Sequence, residues 1–153
     1  MDMKQFTIQL LSGVVGTLGF ALLFRMRKRL VGWAMLGGAL TVAVYLVCVQ
    51  HFELEFFQNF VPALVATAFS EILARLSKSP ATQYITCSII PLVPGSRLYY
   101  MMYDLVIGDT AACRAELTLV ARIAAGLAVG IIAVSVVVHQ LNFHKFKIDV
   151  ETE

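Results

Sequence analysis

Ile90-Pro91-Leu92-Val93-Pro94-Gly95-Ser96-Arg97 lies inside an otherwise apolar segment that runs from Tyr84 to Ile107. Each proline lacks an N–H and clashes with the preceding helical turn. Two prolines three apart, followed by glycine, therefore exclude an undisturbed helix. At 1.5 Å per residue, a break beginning seven residues into the segment falls roughly 10–16 Å deep, near the middle of a bilayer. Backbone freed at that depth is tolerated only where it is buried in protein or faces water. The helix restarting near Ser96 would point its positive end, with unpaired N–H groups, at the break.

The sequence on either side shows why a bilayer is the relevant solvent. Hydrophobic residues make up 59% of the 153 residues and charged residues 14%, with mean hydropathy +0.79. A soluble globule of this size needs nearer 25% charge to cover its surface. The composition also excludes disorder. A net charge of +2 is too small and too scattered for nucleic-acid binding. Five apolar segments follow, at about 6–24, 30–49, 57–76, 84–107 and 117–138. The expected fold is an all-α integral membrane protein of about five transmembrane helices, the fourth broken at Pro91-Leu-Val-Pro94-Gly95. Residues 1–139 form one transmembrane domain and 140–153 a polar tail. The first segment is longer than a signal-peptide core and ends in basic residues, so it reads as an uncleaved span.

Charge orients the five spans. Arg25, Arg27, Lys28, Arg29, Arg75, Lys78, Lys145 and Lys147 fall on one side, against Lys4 and Arg114 on the other. The positive-inside rule then places the N-terminus outside and the C-terminus in the cytoplasm. Gly13, Gly16 and Gly19 in the first span, and Gly126 and Gly130 in the fifth, let helices approach closely.

Ionisable groups in spans are costly and mark pathways or pairs. Arg97, next to the break, can pair with a carboxylate in two hydrogen bonds. Pro91, Pro94, Gly95, Ser96 and Arg97 are the candidate binding element. Tyr99, Tyr103 and Asp104 follow on the same helix, as further substrate contacts or as anchors at the membrane interface. Glu71 and Arg75, four apart, are either a proton-coupling site or a self-neutralising pair. Arg122 either snorkels outward or pairs with Asp104 or substrate. His51, His139 and His144 read as interface residues. Cys48, Cys87 and Cys113 lack metal-ligand spacing, and no nucleophile, zinc or phosphate-loop motif occurs. No catalytic residue, metal or cofactor is expected.

The segments Gly19-Phe-Ala-Leu-Leu-Phe24, the Trp33 and Gly37 region, Pro80, and Ile90-Pro-Leu-Val-Pro-Gly95 together resemble bacterial threonine/serine exporters. The likeness runs from about residue 12 to 138 and is to the C-terminal membrane half, particularly the small stand-alone subunit of split two-gene versions. It implies a proton-driven exporter in the bacterial inner membrane. Its substrates would be small zwitterionic or anionic metabolites: threonine, serine, or dicarboxylates such as succinate. It also implies a larger membrane partner resembling the exporter's N-terminal half; self-association is a further possibility. Only Pro91, Pro94 and Gly95 match the family's motif; the role of Arg97 is inferred from local chemistry. A scaffold subunit, with all substrate contacts in the partner, is the alternative reading.

Overall fold

The computed structural model describes the backbone of residues 3–151 and the side chains of residues 4–140. The chain is helical throughout the described residues. α1 spans Met3–Leu23, α2 Lys28–His51, α3 Glu55–Ser77, α4 Ala81–Ile89, α5 Gly95–Ile107 and α6 Thr110–Glu151. A single 3-10 turn, Ile90–Leu92, follows α4. Four helices are long and apolar enough to cross a membrane: α1, α2, α3 and the Thr110–Gln140 part of α6. The segment expected as a fourth span is divided instead into α4 and α5. With 9 and 13 residues, each is shorter than the ~20 residues a span needs.

The turns have identifiable causes. α1 stops because Arg25 takes a left-handed conformation (φ 52°). The Met26 N–H then reaches back to the Ala21 carbonyl and the Arg25 N–H to Leu22, both at 3.0 Å. This pair of bonds closes a helix C-terminus, and Met26 buries itself beside Ala21 as the pattern requires. Lys78 (φ 50°) ends α3 in the same way, its N–H and that of Ser79 both meeting the Ala74 carbonyl. Gly108, at φ 83°, separates α5 from α6. Asp109 then caps α6 by accepting the Ala112 N–H at 3.0 Å.

α3 is the centre of the bundle and packs on α2, α4 and α6, while α1 lies against α2. The contacts are made through small residues. At Gly126 an added methyl would strike the Phe56 carbonyl oxygen. At Gly130 it would lie 2.7 Å from the Ala63 Cβ and 2.8 Å from the Phe60 carbonyl oxygen. Both are closer than real side chains come, so the two glycines bring the backbones of α6 and α3 together. Gly37 and Gly38 make room on α2 for the side chains of Ser88 and Thr17 respectively. The buried hydroxyls of Thr17, Thr41, Thr67 and Ser70 each donate to a carbonyl four residues back, which satisfies them in an apolar interior.

The glycines of α1 are not equivalent. Gly13 faces Val42 of α2, whereas Gly16 and Gly19 have open space where a side chain would project. Steps of three residues drift about 60° around a helix, so a three-spaced row cannot keep to one seam. Gly126 and Gly130, four apart, drift only about 40° and both face α3.

The order of contacts, Gly126 with Phe56 and Gly130 with Phe60 and Ala63, shows that α6 runs parallel to α3. Thr110–Ala121 therefore precede the first turn of α3, and α6 extends roughly 18 Å beyond it. α5 packs back along this extension and buries none of its own residues. The side chains of His144, Lys145 and Lys147 lie outside the described residues.

Candidate functional site

The helix break is well defined. After the 3-10 turn the Val93 backbone is extended (φ −63°, ψ 127°), and Pro94 sits at φ −77°, ψ 60°. The Gly95 N–H bonds the Val93 carbonyl at 2.8 Å across Pro94, an inverse γ-turn. The first α5 bond then runs from the Leu98 N–H to the Pro94 carbonyl, 3.0 Å. This leaves the Ser96 and Arg97 amides in the first turn, where N–H groups have no acceptor within the helix. No side chain caps them.

A cavity of about 350 Å³ opens at this break. The chain around the break forms one wall, with Pro91, Pro94, Ser96 and Arg97. α2 contributes Tyr45, α3 contributes Glu55, Gln58 and Asn59, and α6 contributes Leu119 and Ile123. Ile89 and Leu92 pack with Ala63, Ala66 and Leu127 behind it and close its floor. α4 and the 3-10 turn together measure roughly 18 Å along a bundle whose central helix is about 34 Å long. The break follows at the level of the first turns of α3, where Glu55, Gln58 and Asn59 line the cavity.

Two ion pairs border the cavity. The Arg97 Nη1 donates to Glu116 at 3.0 Å and 3.4 Å, tying the start of α5 to α6. The Arg122 Nη1 donates to Glu55 Oε2 at 3.3 Å, tying α6 to the first residue of α3. The arginines are half exposed and their carboxylates more enclosed, 19% for Glu116 and 30% for Glu55. Such pairs are worth little in water, but each also sets the position of a charge beside the break. The lining itself carries one cation, Arg97, and one carboxylate, Glu55, and their partners Glu116 and Arg122 stand beside it, so the charges around the cavity balance.

Asn59 adds a buried amide to the wall that α3 contributes. It is 3% exposed, and its Nδ2 donates to the Glu55 carbonyl at 2.8 Å. Pro62, one turn further on, has no N–H for the Gln58 carbonyl, so α3 too has an interrupted ladder beside the cavity.

The structure thus brings Pro91, Pro94, Ser96 and Arg97 to one cavity. Gly95 joins them in the backbone but does not line it. Tyr99 and Tyr103, 64% and 52% exposed, and the half-buried Asp104 lie along α5 and are not part of it. Arg97 pairs with Glu116 and Arg122 with Glu55, so neither takes Asp104 as its partner. Glu71 is half-buried and Arg75 exposed. Both are on α3, but Glu71 is roughly 18 Å along the helix from Asn59 and lines a different region.

Tyr45, Glu55, Gln58 and Asn59 line the cavity, and Glu116 is tied to it through Arg97; sequence reasoning passed over all five as candidates. Asn59 carried a readable signal, as one of two adjacent amides, Gln58 and Asn59, three residues before a proline in an apolar run. Glu55 and Glu116 read as loop acids, because only the packing of α6 on α3 brings them to the break.

No curated protein and no solved structure matches the chain. Residues 9–137 do match a family of transporters described as "Threonine/Serine exporter, ThrE". The match covers all of α2–α5 and the break itself, and on it this helical membrane protein belongs to the threonine/serine exporter family.

Proposed function

We propose that the chain is a subunit of a secondary exporter whose substrate passes through the cavity at the helix break. The observation that carries this is the balanced set of charges around exposed helix amides: Arg97 with Glu116, Arg122 with Glu55, beside Ser96 and the first turn of α5. A zwitterionic amino acid presents both a carboxylate and an ammonium. Its carboxylate suits Arg97 and the positive end of α5, and its ammonium suits Glu55 or Glu116. Each substrate charge takes the place of a protein charge, so no ion is left bare. A dicarboxylate such as succinate would add negative charge with no spare cation beside the break. The charge balance therefore favours threonine- or serine-like substrates over dicarboxylates.

Other parts of the reading rest on separate observations. The basic turns after α1 and α3 favour an N-terminus outside and a C-terminus in the cytoplasm of the bacterial inner membrane. Glu71, half-buried in α3, is the group proposed to carry a proton when export is driven by the proton motive force. A larger membrane subunit is proposed to cover α5, which buries nothing within this chain, and the open Gly16–Gly19 face of α1. Those same exposed faces favour the second reading, a scaffold whose partner holds the substrate.

Efflux of labelled threonine, serine and succinate from cells with and without the chain separates these readings. Arg97→Gln is expected to slow threonine and serine efflux at least about tenfold at unchanged membrane abundance, since a hydrogen bond to a charged group is worth about that much. Unchanged efflux in Arg97→Gln would support the scaffold reading.

A further inference from the structure

The end of the bundle away from the break holds a second cavity, about 460 Å³ in volume, between the α1–α2 and α3–α4 turns. Its charged lining is Arg27, Arg29 and Lys78, with no Asp or Glu. Among the described residues, none of these three cations makes an ion pair. Two of them sit on fixed backbone. Arg27 precedes the first residue of α2, and Lys78 is the left-handed residue that ends α3. The positive end of α2 and the negative end of α3 meet here, and their partial charges offset one another. The side chains therefore decide the potential, and three like charges converge on one space.

An anion is what such a space lacks. Ser77 and Ser79 line it with hydroxyls, the first already receiving the Tyr84 OH at 2.9 Å. The remaining lining is apolar and partly open: Leu76 is 77% exposed and Trp33 48%. Cations sharing a cavity with exposed leucine and tryptophan match a phosphate that carries an acyl chain. A free phosphate would use the cations and gain nothing from Leu76 and Trp33. We propose that this cavity binds the headgroup of an anionic phospholipid. Arg27, Arg29 and Lys78 hold the phosphate, and Trp33 and Leu76 lie along the adjoining chain.

Trp33 is the chain's single tryptophan, so its fluorescence reports on this cavity alone. The protein is reconstituted in phosphatidylcholine vesicles containing either phosphatidylglycerol or phosphatidylcholine brominated on the acyl chains. Brominated phosphatidylglycerol is expected to quench Trp33 at about tenfold lower mole fraction than brominated phosphatidylcholine. Arg27→Gln/Arg29→Gln/Lys78→Gln should abolish the difference. Arg25→Gln/Lys28→Gln, in the same turn but outside the cavity, should keep it. Equal quenching by the two lipids would overturn the proposal, as would selectivity that survives in the triple variant or is lost equally in the double variant. Relief of the phosphatidylglycerol quenching by inorganic phosphate, at constant ionic strength, would assign the cavity to free phosphate and also overturn it.

Discussion

Two cavities of this bundle, at the break and between the α1–α2 and α3–α4 turns, both carry arginine and differ in charge balance. The one at the helix break has two arginines, each held by a glutamate. The one at the opposite end has two arginines and a lysine with no carboxylate in its lining. A balanced polar cavity at a helix break can exchange its internal partners for those of a passing zwitterion, at little net electrostatic cost. An unbalanced one holds an anion for as long as the anion stays. On the proposed readings the first is a place of passage and the second a place of residence, although both are cation-bearing clefts.

The cavities also rest on different helices, which allows each to be broken alone. Gly126→Leu should have the largest effect. Its side chain would meet the Phe56 carbonyl and push α6 off α3, at a cost of at least about 3 kcal/mol. Efflux and thermal stability should both collapse. Any folded fraction should keep the selective Trp33 quenching, because none of the described α6 side chains lines the basic cavity. A smaller and sharper effect is expected at the ion pair. Arg97→Glu puts two carboxylates together and should cut threonine efflux at least about tenfold, with folding intact by circular dichroism. Adding Glu116→Arg restores the pair in reverse and should recover part of that loss. Full recovery would mean that the pair acts only as a tie between α5 and α6, and that Arg97 does not meet substrate.

How much of this was legible beforehand depends on what each feature draws upon. The break was readable because proline's missing N–H is a local property that no tertiary context repairs. The basic turns were readable too, as Arg25–Arg29 interrupts two apolar runs. The partners of Arg97 and Arg122 were not. Arg97 and Asp104, seven residues apart, share a helix face in sequence terms, yet Arg97 finds Glu116 across the α5–α6 turn. That choice follows from α5 folding back along the extension of α6, which the Gly126–Gly130 seam against α3 makes possible. Spacing alone likewise left Gly13, Gly16 and Gly19 alike, and the helical drift between them decides which one meets α2.

The central claim is that substrate occupies the cavity at the break. Ser96→Cys, in a background where Cys48, Cys87 and Cys113 are replaced by alanine, puts one thiol in that cavity beside the first turn of α5. In membranes that still export threonine, the rate at which a water-soluble alkylating reagent modifies this thiol should fall severalfold as threonine is added, and glycerol at the same concentration should leave it unchanged. A modification rate indifferent to threonine while efflux continues would contradict the claim.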